Sequence, residues 1–398
     1  MSACVLAEVG VVTALGASQD ETWPRLLAGD QSRFVQRDDL SPTVARRFGA
    51  VTAALPAIPA SLRHLDCRNN QLALAAYEQI ADAALAARRR FGAHRMGVVV
   101  GTSTSGIASA EDAFRERART GRLSPSFDLA QLEHGGLSEF LALVAGARGP
   151  HYAVATACSA GAKALVSARA LLELDLCDAV IAGGVDSLCQ MTAQGFASLQ
   201  ALASGITNPM SRNRDGLTLG EGGALFLVTR EGDGVRLLGA GESSDAHHMS
   251  APDPAGAGAE ACMRAALADA RLAPDAIAYL NLHGTGTLQN DAVESGAVDR
   301  VFGRGIACSS TKPLVGHLLG AGGAVEAAFC WMLLARRVGD ALAIPPHRWD
   351  GASDPALPAL ELAKPGARVV APRPAAVMST SFGFGGSNCA LVLGDARS

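Results

Sequence analysis

Three short stretches from the first part of the chain return, in the same order, in its last third. "VVVGTSTSG" (98–106) is echoed by "LNLHGTGT" (280–287), and "ATACSAGAKAL" (155–165) by "IACSSTKPLVGHLLGAGGA" (306–324). "GEGGALFLV" (220–228) is echoed by "GFGGSNCALVL" (383–393). In a Gly/Ala-rich chain one such pair means little, but a shared order implies two related halves. We place the divide near residue 240, giving halves 1–240 and 241–398. The 398 residues are also more than one ordinary core accommodates.

Within each half, short apolar runs alternate with helical spacing. "MGVVVGTSTSG" (96–106), "DAVIAGGVDSL" (178–188), "GGALFLVTR" (222–230), "AIAYLNLHGTGT" (276–287) and "GARVVAPRPAAVMSTSFGFGG" (366–386) read as strands. "AGAKALVSARALLELDL" and "AGAEACMRAALADARL" read as helices. Such alternation predicts an α/β fold with a largely parallel, buried sheet. A 49% hydrophobic and 18% charged composition fits a well-buried enzyme. A formal charge of −4 points to neither nucleic acid nor a membrane surface as partner. "MSACVLAEVGVV" lacks the charged and apolar regions of a signal peptide, and "AVEAAFCWMLLARRV" is too short and interrupted to span a bilayer. Nine cysteines without a CxxC pair imply reduced thiols in a cytoplasm, not a disulfide or zinc framework.

Cys158 stands apart from the other eight, which lie mostly among apolar neighbours. It follows the strand-like "HYAVATA" and precedes a helix, so its sulfur falls at a helix N-terminus, which favours thiolate. A buried packing role is the alternative reading of that motif alone. His283 ends a strand and opens a Gly/Thr loop, and His317 precedes a small-residue helix. Two such histidines supply the neighbours a nucleophilic thiol needs. Lys312 is one of only three lysines and lies five residues before His317, while Glu326 lies nine after it. "TSFGFGGSN" supplies backbone N–H groups suited to an oxyanion hole, with Phe382 and Phe384 able to close a pocket. His247 and His248 lack the companions a metal site requires.

Together "TACSAGA", "HGTGTLQNDAVE", "SSTKPLVGHLLGAGGAVE" and "SFGFGGSN" resemble the motifs of elongating, Cys-His-His β-ketoacyl-acyl-carrier-protein synthases. "GVVTALG", "RDGLTLGEGGA" and "SSDAHHMSAPDPAGAG" extend the likeness over almost the whole chain. The resemblance implies a thiolase-like αβαβα five-layer fold of two similar halves, in a homodimer or a heterodimer with a related ketosynthase or chain-length-factor subunit. It implies Cys158 as the acyl-accepting nucleophile, and His283 and His317 as the pair promoting malonyl decarboxylation. Lys312 and Glu326 are implied as the lysine and acid near them. The N–H groups of Cys158 and Phe384 would form the oxyanion hole, with Phe384 also a gate. Thr285 and Thr287 would contact the phosphopantetheine arm of the acyl carrier protein, the partner on which substrates arrive. No metal or redox cofactor is implied.

Thr104 would line the acyl pocket, and Phe382 would close it. "DCRNNQLAL" (66–74) and "GTSTSGI" add a further likeness to ketosynthases of aryl-polyene clusters. Arg63, Arg68, Arg115 to Arg122, Arg212 and Arg214 are candidates for docking an acidic carrier. Competing readings are a non-catalytic chain-length factor, a degradative thiolase and a Cys-His hydrolase. The first lacks the nucleophile, and the second needs another catalytic cysteine, whereas Cys389 follows "GGSN" and not a CxG loop. The third leaves one histidine and Lys312 idle.

Overall fold

The computed structural model describes residues 4–41 and 44–395, so the first three residues of the N-terminal stretch read above lie outside it. In chain order the elements that build the site are β1 (Val5–Val12), α1 (Arg68–Glu78), β2 (Met96–Gly101), α2 (His134–Ala145), β3 (His151–Val154), α3 (Ala160–Glu173), β4 (Ala179–Asp186), α4 (Gln190–Ser198) and β5 (Gly222–Thr229). They continue with β6 (Val235–Ser244), α5 (Ala257–Ala270), β7 (Ile277–Asn281), α6 (Leu288–Phe302), β8 (Ala307–Ser309), α7 (Gly322–Ala335), β9 (Ala376–Gly383) and β10 (Ser387–Gly394).

The strands form one continuous ladder in two matching sets. The first set runs β1-β5-β4-β2-β3 and the second β6-β10-β9-β7-β8, with a two-residue strand, Glu361–Leu362, beyond β8. In each set the first three neighbours pair antiparallel and the last three parallel. The sets meet at β1 and β6 through the antiparallel pairs Val5↔Arg236 and Leu6↔Val235. The three sequence echoes fall on corresponding elements: β2 and β7, β3–α3 and β8–α7, β5 and β10. The second set begins at Val235, so residue 240 lies inside β6.

Five layers follow from where the apolar faces go. The first set packs one face on α1 and α2, through Leu72, Ala76, Phe140 and Leu141 against Val98, Val100 and Ile181. The second packs one face on α5 and α6, through Met263, Ala266 and Val298 against Leu280 and Met378. The remaining faces enclose α3 and α7 in a central core where Leu165, Ala168, Phe329 and Leu333 meet Val99, Phe226 and Val377. This is an α/β, thiolase-like αβαβα fold. Helix α7 is buried on nearly every side and apolar except at Glu326.

The two central helices start almost in backbone contact. A Cβ on Gly161 would lie 2.8 Å from the Gly320 carbonyl oxygen and 2.9 Å from the Ala324 nitrogen. Only glycine permits so close an approach. Each helix is entered through a residue in the left-handed region, Ala157 (φ 50°) before α3 and Leu319 (φ 51°) before α7. Gly320 therefore occupies in the second half the place Cys158 holds in the first. Lys312 and His317 belong to the longer connection between β8 and α7.

Candidate active site

Cys158 lies in the single turn Ala157–Ser159 that feeds α3, behind the strained Ala157. Its Sγ is 3.0 Å from Nε2 of His317. His283 follows β7, with its ring centroid 5.4 Å from that of His317 and nearly edge-on at 86°. All three side chains are buried, and their ligand-type atoms lie within 4.8 Å of one another. This is the grouping the sequence singled out.

A polar frame holds the His283 loop. Glu294 on α6 accepts hydrogen bonds from the His283 and Gly284 amides, each at 2.7 Å, and from the Thr380 hydroxyl at 3.1 Å. Gly286 is in the left-handed region (φ 79°), and a Cβ there would strike the Thr207 hydroxyl at 2.2 Å. Behind His283, Lys312 Nζ lies 3.3 Å from Nδ1 and 2.5 Å from Glu326 Oε1, with both partners buried. An ammonium has no lone pair, so it donates and His283 Nδ1 accepts. Neutral His283 therefore carries its proton on Nε2.

Burial sets the protonation states. It holds both imidazoles well below their usual range, helped by the positive charge of Lys312 and, for His283, by His317. Burial pushes the Cys158 thiol up to about 11, against the opposing pull of Lys312 and of the Phe384 backbone N–H directed at the sulfur. The resting site thus holds neutral thiol and neutral imidazoles. His317 Nε2, 3.0 Å from Sγ, is placed within reach of the thiol proton.

A cavity of about 310 Å³ opens onto Cys158. His283, His317, Phe382, Phe384, Thr285 and Thr287 line it, the two threonine hydroxyls 3.0 Å apart. Phe382 packs edge-on to His283, while the half-exposed Phe384 leans on Phe196 of α4 with ring centroids 5.5 Å apart. The cavity also takes in Leu199, Asp245, His248 and Asn388, which the sequence reading did not assign to the site. Asn388 donates to Asp245 at 2.6 Å, joining the start of β10 to the loop after β6.

Three expectations are corrected. Thr104 does not line this cavity: its hydroxyl donates to Asp186 Oδ1 at 2.8 Å in a fully buried network. Arg68 is paired with the buried Glu221 at 2.6 Å, and the buried Arg214 with Asp354 at 2.5 Å, so neither guanidinium is free for a carrier. Arg63, Arg117, Arg119, Arg122 and Arg212 form no such pair among the described residues, and all five are exposed. Cys389 lies buried in β10, outside the cavity.

A nucleophile-bearing turn at the head of a central helix, flanked by two imidazoles on a doubled five-strand frame, defines a thiolase-like acyltransferase. Residues 5–233 match the model of the β-ketoacyl synthase N-terminal domain and residues 235–343 that of its C-terminal domain. The chain belongs to the β-ketoacyl synthase family. It is 34% identical to the 3-oxoacyl-[acyl-carrier-protein] synthase 2 of Rhizobium meliloti, covering 99% of each chain. It is 30% identical to the enzyme of that name from Coxiella burnetii, over 98% of this chain and 97% of the relative. Among solved structures, the ketosynthase ApeO, in complex with its chain length factor ApeC from Xenorhabdus doucetiae, superimposes with a TM-score of 0.93. That similarity is at 41% identity over 99% of this chain and 98% of the other.

Proposed function

We propose that the chain condenses an acyl group held on Cys158 with a malonyl group, both delivered by acyl carrier protein, to give a 3-oxoacyl thioester. The observation that carries this reading is the 3.0 Å contact of Cys158 Sγ with His317 Nε2, beside a His283 whose free N–H faces the same cavity.

In the first half-reaction His317 takes the thiol proton and Sγ attacks the acyl thioester carbonyl. The oxyanion is stabilised by backbone N–H groups, those of Cys158 and Phe384 in our assignment. Collapse expels the carrier thiolate, which is protonated from solvent, while His317 keeps the thiol proton on Nε2 and gives up the one on Nδ1. In the second, the malonyl C–C bond breaks and carbon dioxide leaves. The electron pair moves into an enolate whose oxygen accepts from His283 Nε2–H and His317 Nε2–H. The enolate carbon attacks the acyl-Cys158 carbonyl and expels the Cys158 thiolate, which takes the His317 Nε2 proton, and a solvent proton returns to Nδ1. Thr285 and Thr287 would hydrogen-bond the phosphopantetheine arm, and Phe384 would gate the cavity against Phe196.

All three groups at the centre have work in this scheme as thiol or imidazole, so it assigns no metal and no redox cofactor. Thr104 shapes the site only through Asp186. The likeness to ApeO with its chain length factor supports a related subunit as partner, and the resemblance of "DCRNNQLAL" and "GTSTSGI" to aryl-polyene ketosynthases supports a product of that type. Nine free thiols suit a cytoplasmic setting, and no helix among the described residues is long and apolar enough to cross a membrane.

The test is mass spectrometry after incubation with acyl carrier proteins bearing different chains, alone and with the related subunit. Acylation of Cys158, absent in Cys158→Ala, is expected. No acylation with any chain, together with no malonyl decarboxylation, would refute the assignment.

A further inference from the structure

Asp186, at the end of β4, is wholly buried and forms no ion pair with Lys or Arg among the described residues. Its carboxylate is met by hydrogen-bond donors alone. Oδ1 accepts from the Thr102 hydroxyl at 2.9 Å, the Ser103 and Thr104 amides at 2.8 Å each, and the Thr104 hydroxyl at 2.8 Å. Oδ2 accepts from the Ala321 amide at 3.0 Å. Four of these donors come from the loop after β2 in the first half. The fifth comes from the turn that opens α7 in the second.

That turn is where the two halves make the reacting pair. Gly184, two residues earlier and on the same face of β4, lies under both helix starts. A Cβ there would sit 3.0 Å from Gly161 Cα and 3.1 Å from Ala321 Cα. Cys158 lies three residues before Gly161, and His317 four before Ala321. A Cβ on Gly320 would approach Asp186 Oδ2 to 2.9 Å, so the carboxylate also abuts the backbone behind His317. Glycines let the two helix starts come together. A carboxylate anchored by one half then holds the N-terminal amide of the other, where a negative charge is favoured.

We infer that Asp186 is a positioning residue for the condensation: by tying the loop after β2 to the entry of α7, it sets His317 against Cys158. This inference deepens the functional reading above and rests on it for its kinetic arm. An amide in place of the carboxylate turns an N–H toward the Ala321 N–H and breaks the tie between halves. Thr104 is part of the same clamp, because its hydroxyl both donates to Oδ1 and accepts from the Ser187 amide at 3.1 Å.

The experiment compares Asp186→Asn, Thr104→Val and Thr104→Ser in the full chain. For each it measures kcat and KM for the malonyl carrier substrate and the rate at which iodoacetamide alkylates Cys158 at pH 7. Asp186→Asn should lower kcat by about 10- to 100-fold, the scale of a sub-ångström to ångström misplacement, with KM within about twofold. Thr104→Val, which leaves the Asp186 charge in place, should lower both kcat and alkylation severalfold, and Thr104→Ser should restore both. If Asp186→Asn fails to fold, the Val and Ser pair decides. Wild-type kcat and alkylation in Thr104→Val, or a Thr104→Ser variant as impaired as Thr104→Val, would overturn the inference. Because alkylation needs no turnover, the expected alkylation pattern in a protein that condenses nothing would sustain the positioning role and reject the functional reading.

Discussion

Lys312 Nζ stands 3.3 Å from Nδ1 of His283 and 2.5 Å from Glu326, and through this single ammonium a buried acid determines which nitrogen of the histidine carries its proton. His317 has no counterpart to this lock, since its Nδ1 makes no hydrogen bond. The two imidazoles are thus prepared differently. His283 is fixed as an Nε2–H donor, while His317 can accept the Cys158 proton at Nε2 or carry one there.

Lys312→Met should therefore release the His283 tautomer and slow malonyl decarboxylation by about 100-fold, the scale of losing one oxyanion donor. It should also leave the Glu326 carboxyl buried without its partner, costing about 3–5 kcal/mol by urea unfolding. Adding Glu326→Gln should recover most of that stability without recovering decarboxylation. Recovery of both together would show that Lys312 acts only by holding the fold.

The two half-reactions separate by residue. Cys158→Gln should abolish condensation while retaining malonyl decarboxylation, because the amide occupies the thiol's place and both N–H donors survive. His283→Ala should lose decarboxylation by at least about 100-fold and still become acylated at Cys158. Release of carbon dioxide from malonyl carrier protein, measured beside acylation by mass spectrometry, reads both. Undiminished decarboxylation by His283→Ala would remove it from the enolate site.

Much of this was legible in the sequence. The echoed stretches located corresponding strands and helices, and the spacing around Cys158, His283 and His317 picked out residues that meet within 4.8 Å. Strand β6 escaped notice because "VRLLGAGESS" is broken by Gly and Ser, and β8 because it is three residues long. The frame was hidden for another reason. Asp186 reaches Thr104 across 82 positions and Ala321 across 135, and a lone acid carries no spacing that announces such partners. Thr104 was misplaced on the same account: its position near the pocket was readable, but the direction of its hydroxyl depended on that distant carboxylate.

The close approach of α3 and α7 has a stability signature. Gly161→Ala would put a methyl group 2.8–2.9 Å from Gly320 and Ala324, forcing the central helices apart at a cost of about 1–3 kcal/mol. Gly195→Ala, inside α4 with nothing within 4 Å, should instead be neutral or stabilising by up to about 1 kcal/mol. Thermal melts of the two variants give the comparison. Equal melting temperatures would mean the helix starts relax freely.

The assignment of Cys158, His283 and His317 to thiol and imidazole chemistry predicts indifference to chelators. Dialysis against EDTA should leave the condensation rate unchanged. Loss of turnover that a divalent ion restores would show the cluster acting as a metal site.

His347 offers a pH test away from the reacting atoms. It is buried, accepts at Nδ1 from the Ser310 amide at 3.1 Å, and donates from Nε2 to the Pro209 carbonyl at 2.9 Å. Burial lowers it from 6.5 to about 4, so between those values the unfolded chain binds a proton that the folded one excludes. The stability contributed by neutral His347 is complete above pH 6.5 and is lost as pH falls toward 4. The stability gap between wild type and His347→Leu should therefore be widest at pH 7 and above, and should shrink by about 3 kcal/mol on reaching pH 4. Urea midpoints for the two proteins at half-unit pH steps measure it. A gap independent of pH would mean that His347 accepts its proton in place, with the Ser310 contact giving way.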